Sequence, residues 1–269
     1  MKIDLHIHST ASDGSLAPRE VVEQAVVGGL DVIAVADHDT VSGVSEAVAA
    51  GGDRVRVIPA IELSARHRDR DVHILGYSVD AAAPALVAYA ERARRSREAR
   101  IRAMIERLVA LDIPVDFEAV LHEAGPHGHA LARPHLARAL LTAGHVGSVP
   151  EAFDRFIGDA GPAYVATDMV DVAGAIALIH EAGGVAVWAH PPLPVLGALR
   201  DFVEAGLDGL ECHRPRVNAT DLGRLLNKAR DHGLLVTGGS DWHGEWHGPL
   251  GTFHVGRAEV GAFLERVGL

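Results

Sequence analysis

The sequence contains a single cysteine, Cys212, and no run of 18 uncharged apolar residues among its 269 positions. One thiol excludes a disulfide framework and a zinc site built from cysteines. The missing apolar run excludes a membrane-spanning helix. The first residues, Met1 to His6, carry charge where a secretory signal peptide needs an apolar stretch, so we expect a cytoplasmic protein with no membrane partner.

Positive charge is also scarce. Lys and Arg together number 25 against 36 Asp and Glu, which gives a formal net charge of −11 with histidine neutral. A negative surface repels polyanions, so we expect no long duplex nucleic acid as a partner. No glycine fingerprint of the dinucleotide-binding or P-loop type follows any predicted strand.

Short apolar runs alternate with amphipathic stretches along most of the chain. Asp31–Ala36, with its β-branched residues and its lack of polar alternation, is typical of a buried strand in a parallel sheet. This alternation predicts an α/β fold, with a parallel barrel favoured over an open sheet. The seven predicted strands are Ile3–His8, Asp31–Ala36, Arg54–Ala60, Asp71–Tyr77, Val185–Ala189, Gly209–Cys212 and Leu234–Thr237.

Residues 81–167 interrupt this pattern with a series of predicted helices, the longest of which is Pro84–Leu111. We interpret this segment as a helical insertion in a barrel domain formed by residues 1–80 and 168–269. An insertion over one face of the barrel predicts a lid, and a purely structural subdomain is the alternative.

The sequence has 17 histidines, many of them placed where predicted strands end. His6 and His8 lie two apart on the first predicted strand, so both side chains point to the same face. Seven further side chains lie at or near the carboxyl ends of other strands, and those ends converge at one mouth of a parallel barrel. Six imidazoles and three carboxylates would be costly to bury together without a metal. Because the set contains no thiolate, it suits Mn²⁺, Zn²⁺ or Fe²⁺. The nine predicted ligands are His6, His8, Asp13, His38, Glu62, His73, His190, Asp241 and His243.

In this order, the nine residues resemble the PHP (polymerase and histidinol phosphatase) superfamily of metal-dependent phosphoesterases. The resemblance covers Met1 to His243 and implies a distorted (β/α)7 TIM-like barrel that binds two to three divalent ions, Mn²⁺ above all. It also implies that Glu62 bridges two metals and that Glu62 and Asp241 are catalytic. By the same resemblance, a first metal is held by His6, His8 and Asp241, a second by His73 and His190, and a third by Asp13, His38 and His243.

Within that superfamily, Asp13, the short chain and the insertion resemble the branch that removes phosphate from 3′,5′-bisphosphonucleosides. Some members of the branch also trim short RNA from its 5′ end, so the expected substrate is a small nucleotide or a short oligoribonucleotide. The Arg-Pro-His sequence that contains Arg133 and His135 resembles a substrate-binding signature of this branch; the start of a helix is its alternative reading. His213 and Arg214 follow a strand at the same mouth, where they are further candidates for substrate binding, and His213 is also a candidate general acid.

Three other functions are compatible with parts of the pattern. A histidinol-phosphate phosphatase would use the same fold and metals on a different substrate. An amidohydrolase-type C–N hydrolase also opens with His-x-His, but its metals are usually bridged by a carbamylated lysine. The chain has only Lys2 and Lys228, and neither ends a strand. A non-catalytic metal-binding module is the third alternative, against which the complete ligand set argues.

Overall fold

Short apolar strands form the centre of the fold. In the computed structural model, which describes residues 1–68, 70–125 and 130–269, the strands β1 (Ile3–Ile7) and β2 (Val32–Val35) are buried along their whole length. Strands covered on both faces favour apolar residues, which explains the continuous hydrophobic sequence of β2. Strand β1 departs from this pattern because it carries the buried residues Asp4 and His6. The remaining strands are β3 (Arg56–His67), β4 (Arg70–Tyr77), β5 (Val170–Asp171), β6 (Val185–Trp188), β7 (Gly209–His213) and β8 (Leu235–Gly238).

The strands form one mixed sheet in the order β1-β2-β3-β4-β6-β7-β8, with β5 added beside β3. Four neighbouring pairs are parallel, but β4 runs antiparallel to both β3 and β6. The prediction of an α/β fold is confirmed, whereas the prediction of a parallel arrangement is wrong at β4. The reason is the connection between His67 and Arg70, which is too short for the helical crossover that parallel neighbours need.

Strand β3 is longer than predicted and continues past the parallel part of the sheet as a two-stranded ribbon with β4. Glu62 therefore pairs with Leu75 inside this ribbon, and the prediction that Glu62 ends its strand is wrong. The extra strand β5 was also not predicted. It precedes a helix that begins at Val172 because the Asp171 carboxylate accepts a hydrogen bond from the Gly174 amide (2.7 Å) and so caps the helix.

The segment that follows β8 contacts the end of β1. Ile7 forms an isolated parallel bridge with Trp242, and the His8 amide donates to the Trp242 carbonyl at 2.8 Å. This contact places His8 next to the segment that carries Asp241 and His243.

Ten α-helices are described around the sheet. Helices α1 and α2 pack on one part of it, and α7, α8 and α9 pack on another, while α10 covers an apolar cluster that includes Leu5 and Ala34. Among the described helices, none combines the length and apolarity needed to cross a lipid bilayer. The helices are α1 (Pro18–Val27), α2 (Val44–Gly51), α3 (Pro84–Val109), α4 (Phe117–Ala124), α5 (Arg133–Thr142), α6 (Val149–Ala152), α7 (Val172–Glu181), α8 (Leu199–Glu204), α9 (Ala219–Asp231) and α10 (Arg257–Arg266).

The segment predicted as an insertion is helical and has an apolar core of its own. Ile101, Met104 and Leu108 of α3 pack there against residues of α4 and α5. The first turns of α3 pack against the sheet instead, because Leu86 and Tyr89 lie in the core beside β3 and β4. One helix thus joins the two cores, and both the domain boundaries and the function as a lid stay predictions.

Candidate metal centre

His6 and His8 form the first group of the centre. Both side chains are fully buried, and their Nε2 atoms lie 3.1 Å apart. The same two nitrogens lie 3.3 and 3.2 Å from Oε2 of Glu62 and 3.4 and 3.3 Å from Oδ1 of Asp241. Donor atoms that share an ion at about 2.1 Å lie about 3.0–3.4 Å from one another, so these spacings match a coordination shell.

Glu62 connects this group to a second one through its other carboxylate oxygen. Oε1 lies 3.1 Å from Nδ1 of His73 and 3.1 Å from Nε2 of His190, and these two nitrogens are 3.2 Å apart. The antiparallel pairing of β3 with β4 makes this possible, since it brings His73 and Glu62 to the same part of the ribbon. One carboxylate therefore faces two ligand groups, as the bridging prediction requires.

The third group contains Asp13, His38 and His243, as predicted, together with His8. Oδ1 of Asp13 lies 3.3 Å from Nε2 of His243 and 3.8 Å from Nδ1 of His8. His38 also contacts Glu62, with its Nδ1 3.0 Å from Oε2. The structure thus brings all nine predicted ligands together in one connected cluster.

The donor atoms themselves indicate that the residues fit divalent cations. In the described structure, Nδ1 of His8, Nδ1 of His38 and Oε2 of Glu62 are buried and form no hydrogen bond. Buried polar atoms normally have partners, and these three point toward other ligand atoms without hydrogen-bond geometry. A cation satisfies imidazole nitrogens and carboxylate oxygens at the same time, which no hydrogen-bond arrangement of these groups does.

The cluster also shifts the pKa values of its members strongly. Burial alone would raise the pKa of Glu62, but the imidazoles of His38, His6 and His73 outweigh it and hold that pKa well below its ordinary value. Conversely, burial would lower the pKa of His243, yet the Asp13 carboxylate raises it to about 9. Such opposed shifts are characteristic of functional sites.

Glu211, on β7, is the main site residue that sequence analysis missed. Its buried Oε1 accepts a hydrogen bond from Nδ1 of His6 at 3.0 Å, and its Oε2 accepts from the His190 amide at 2.6 Å. A carboxylate in this position fixes the tautomer and orientation of a metal-binding imidazole. The available signal was a charged residue within an otherwise apolar strand, since a buried carboxylate needs partners.

The loop that carries Asp13 is held by Asp37. This carboxylate accepts hydrogen bonds from the Ser9 amide (2.8 Å), the Ser9 hydroxyl (2.6 Å) and the Ser12 hydroxyl (2.6 Å). The loop also requires Gly14, because a Cβ atom there would lie 2.5 Å from the His8 carbonyl oxygen. Asp37 therefore positions a ligand through its loop.

Asp39 connects the centre to helix α3. Its Oδ2 accepts from Nε (2.8 Å) and Nη2 (2.5 Å) of Arg97, and its Oδ1 accepts from the Tyr89 hydroxyl (2.6 Å) and the Ser64 amide (2.7 Å). Asp39 adopts a positive φ of 53°, as do the predicted ligands His190 (29°) and Asp241 (54°). Non-glycine residues rarely adopt this region, and such strain is concentrated at functional sites.

The substrate-binding candidates of the helical segment lie near the start of α5. Nη1 of Arg133 donates to Asp159 at 2.6 Å, and the guanidinium lies 5.5 Å from the centroid of the Tyr164 ring. His135 is buried, and its Nδ1 accepts from the Ala132 amide at 3.0 Å. Burial and the nearby Arg138 lower the pKa of His135 to about 4, so the imidazole is neutral at physiological pH. Their roles toward a substrate stay predictions.

His213 and Arg214 lie at neighbouring cavities. A cavity of about 480 Å³ opens beside His190 and Asp241, and Arg214 forms part of its wall. His213 lies instead in an adjoining cavity of about 570 Å³ together with Glu259. Burial lowers the pKa of His213, and Glu259 partly opposes the shift. The structure therefore brings Arg214, but not His213, to the cavity that borders the ligand cluster.

Several known proteins resemble this chain. Residues 4–121 match the family model of the PHP domain. Over 273 residues, covering 99% of this chain and 95% of the relative, the chain is 34% identical to a 5′-3′ exoribonuclease of Haemophilus influenzae. It is 37% identical to a phosphoribosyl 1,2-cyclic phosphate 1,2-diphosphodiesterase of Eggerthella lenta, over 90% of this chain and 94% of the relative. It is 33% identical to a 3′,5′-nucleoside bisphosphate phosphatase of Chromobacterium violaceum, over 94% of this chain and 91% of the relative.

A solved structure shares the fold as well. It is described as an amidohydrolase from Chromobacterium violaceum with bound SO4 and no metal, and it superimposes with a TM-score of 0.83 at 31% identity, covering 91% of this chain and 88% of that one. Together with the relatives, which span nearly the whole chain, this likeness confirms the resemblance inferred from the nine ligands. The chain belongs to the PHP domain family.

Proposed function

We propose that this chain is a metal-dependent phosphoesterase that removes phosphate from small nucleotides such as 3′,5′-bisphosphonucleosides and also cleaves short oligoribonucleotides from the 5′ end. The observation that carries the proposal is Glu62, whose two buried oxygens face two separate groups of imidazoles. Relatives that resemble the chain along nearly their whole length are named for phosphate-ester hydrolysis of nucleotides and RNA.

The nine clustered ligands would hold two to three divalent ions, for which Mn²⁺ is our choice and Zn²⁺ or Fe²⁺ the alternatives. Bound there, the ions supply Lewis-acid activation of water and neutralise charge on the phosphoryl group. The protein's own part is to fix the ligands. Glu211 orients His6, and Asp37 holds the loop of Asp13.

Substrate binding is assigned to residues around the cluster. Arg214 donates to the Pro191 carbonyl at 2.9 Å and shares a cavity with His190 and Asp241, which favours a contact with substrate phosphate. Arg133 and His135 are proposed to contact the substrate from the helical segment. His213 stays the candidate for protonating the leaving oxygen, and a loss of turnover in His213→Ala that a good leaving group restores would support it.

Two architectural proposals accompany this function. The contacts of Ile7 and His8 with Trp242 support a sheet that closes as a distorted barrel. The ion pair between Asp39 and Arg97 supports residues 81–167 as a cover over the centre, since it places α3 directly beside the ligand His38.

The test is phosphate release by the Mn²⁺-loaded protein from 3′,5′-bisphosphoadenosine, with 5′-AMP and histidinol phosphate measured in parallel. We expect preference for the bisphosphate, and we expect chelation or Glu62→Gln to abolish release. Glu181→Gln, at the exposed end of α7, is the matched control. Release that survives both chelation and Glu62→Gln would refute the proposal, and activity on histidinol phosphate alone would transfer the function to that substrate.

An amidohydrolase activity is a second candidate because the structure described as an amidohydrolase shares this fold. The chain's own residues favour the phosphoesterase, since Glu62 occupies the bridging position where a carbamylated lysine would be needed. Ammonia release from nucleobase or amide substrates, without any phosphate release, would favour the amidohydrolase.

A further inference from the structure

We infer that the two cavities beside the metal centre form one groove, which binds the nucleotides of a short single-stranded RNA beyond the one whose phosphate is hydrolysed. The inference rests on the proposed function and names the part of the substrate that this surface recognises. The groove is defined here as the joined walls of the 480 Å³ cavity at His190 and Asp241 and of the 570 Å³ cavity at His213.

Shared wall residues place the two cavities next to each other. Arg214 and Phe253 line both of them, so the surface extends from the ligands His190 and Asp241, past these two side chains, to His213. A mononucleotide needs only the first cavity, because small-ligand sites commonly enclose about 300–1,000 Å³. The second cavity provides room for further nucleotides.

The charge of the groove is opposite to that of the protein. Outside the ligand cluster, and among the described side chains, Arg214, Arg216 and Lys2 line the two cavities against the single carboxylate of Glu259. The whole chain carries −11, so this local excess of cations is not a general property of its surface. Nη2 of Arg214 donates to the Pro191 carbonyl at 2.9 Å, which holds this guanidinium at the wall of the first cavity.

Arg216 is held in an uncommon backbone conformation at this surface. Its φ is 65°, a region that non-glycine residues rarely adopt, and its side chain is exposed at the wall of the first cavity. Strain of this kind persists where the surrounding structure imposes it, and it is often found at binding sites.

Aromatic rings complete the features of a single-strand site. Phe253 lies half-buried between the two cavities, and Trp246 is 61% exposed with its ring centroid 6.0 Å from that of His247, a residue of the first cavity. Proteins bind single strands by combining a cationic groove with aromatic side chains on which bases stack. The groove has both, next to a centre proposed to cleave phosphate esters.

The experiment compares kcat/KM of the Mn²⁺-loaded protein for 5′-phosphorylated pentaadenylate and for 3′,5′-bisphosphoadenosine. In Lys2→Ala, which removes a cation of the second cavity, and in Phe253→Leu, which keeps an apolar side chain but removes the ring, we expect the ratio of pentamer to bisphosphate to fall about tenfold. Arg224→Ala, an exposed arginine of α9 outside the groove, should keep the wild-type ratio.

A second readout is the salt dependence of binding to a fluorescent, phosphorothioate-linked pentaadenylate that resists hydrolysis. Each lost phosphate contact should reduce the slope of log Kd against log salt by about 0.7, so Lys2→Ala should show this change and Phe253→Leu should not. Folding of both variants is checked by circular dichroism.

Unchanged ratios and slopes in both groove variants would overturn the inference, as would an equal loss on pentamer and bisphosphate, which would assign the replaced side chains to the mononucleotide site. If the wild-type protein hydrolyses neither substrate, the proposed function fails. The salt dependence would then still decide whether the groove binds RNA.

Discussion

Replacing Glu211 with glutamine changes one atom of the metal centre and removes one acceptor. The carboxylate accepts two hydrogen bonds, one per oxygen, from Nδ1 of His6 and from the amide of His190. Glutamine has a single acceptor oxygen, so its amide group would face one of these donors. A buried donor left without a partner costs about 1–3 kcal/mol, which corresponds to a factor of about 5 to 150 in an equilibrium.

Because both donors belong to predicted ligands, this loss should appear as weaker metal binding. Loss of an outer carboxylate that orients a metal-binding histidine typically lowers metal affinity about 10- to 100-fold, in agreement with the estimate from the hydrogen bonds. We expect the Mn²⁺ affinity of Glu211→Gln to be about 10- to 100-fold lower than that of the wild type. It is measured by titration calorimetry on protein freed of metal with a chelator. Saturating Mn²⁺ should restore most phosphate release.

Glu181→Gln provides the reference for a neutral change at the surface. The reasoning would be refuted if Glu211→Gln bound Mn²⁺ within about twofold of the wild type while its fold was intact. If Glu211→Gln fails to fold, Glu211→Asp replaces it as the test. Aspartate keeps two acceptor oxygens on a side chain that is shorter by one methylene, so its Mn²⁺ affinity should still fall below that of the wild type.

Further predictions concern pH and charge. Burial raises the pKa of Asp4 to about 6, so the native state retains this proton more strongly than the unfolded chain and loses stability as pH rises from about 4 to 6. In protein freed of metal with a chelator, Asp4→Asn should therefore gain about 3 kcal/mol in the free energy of unfolding at pH 8 and less at pH 4.5. Urea titrations at the two pH values measure this gain, and an equal gain at both would contradict the prediction. The guanidinium of Arg97 holds the pKa of the buried Asp39 below its ordinary value, so the pair stabilises the fold above about pH 4 and the stabilisation is lost as pH falls through the lowered pKa. Arg97→Met should lower the free energy of unfolding by about 3–5 kcal/mol at pH 7 and by less toward pH 4. The same urea titrations test this, and a loss that does not change with pH would contradict it. Finally, because the pKa of His243 is raised to about 9, Mn²⁺ must displace a proton from this imidazole at pH 7.5. Binding calorimetry in buffers of different ionisation enthalpy should therefore show proton release. Identical binding enthalpies in all buffers would exclude it.

The sequence predicted which residues lie together better than it predicted the sheet that carries them. His6-x-His8 and Asp241-x-His243 could be recognised because their spacing places pairs of ligands together near strand ends. The direction of β4 could not be predicted, since an apolar run such as Asp71–Tyr77 reads the same in a parallel and an antiparallel neighbour. Glu62 was recognised as a ligand, yet its place in the middle of a ribbon depends on the pairing of β3 with β4.

Arg97 illustrates a different limit. It is one of many arginines in α3, and nothing in their spacing distinguishes the one that is buried from those that pair on the surface with Glu91 or Glu98. Only the tertiary fold places a carboxylate, Asp39, opposite this position.

The same pair has a consequence for how the molecule unfolds. Helix α3 contributes Leu86 and Tyr89 to one core and Ile101 and Leu108 to another, with Arg97 between them. If the helical segment detached, the buried carboxylate of Asp39, next to the predicted ligand His38, would lose its counter-charge. We therefore expect the two cores to unfold as one cooperative unit, so that hydrogen exchange at the candidate metal centre and in the helical segment proceeds through the same global opening.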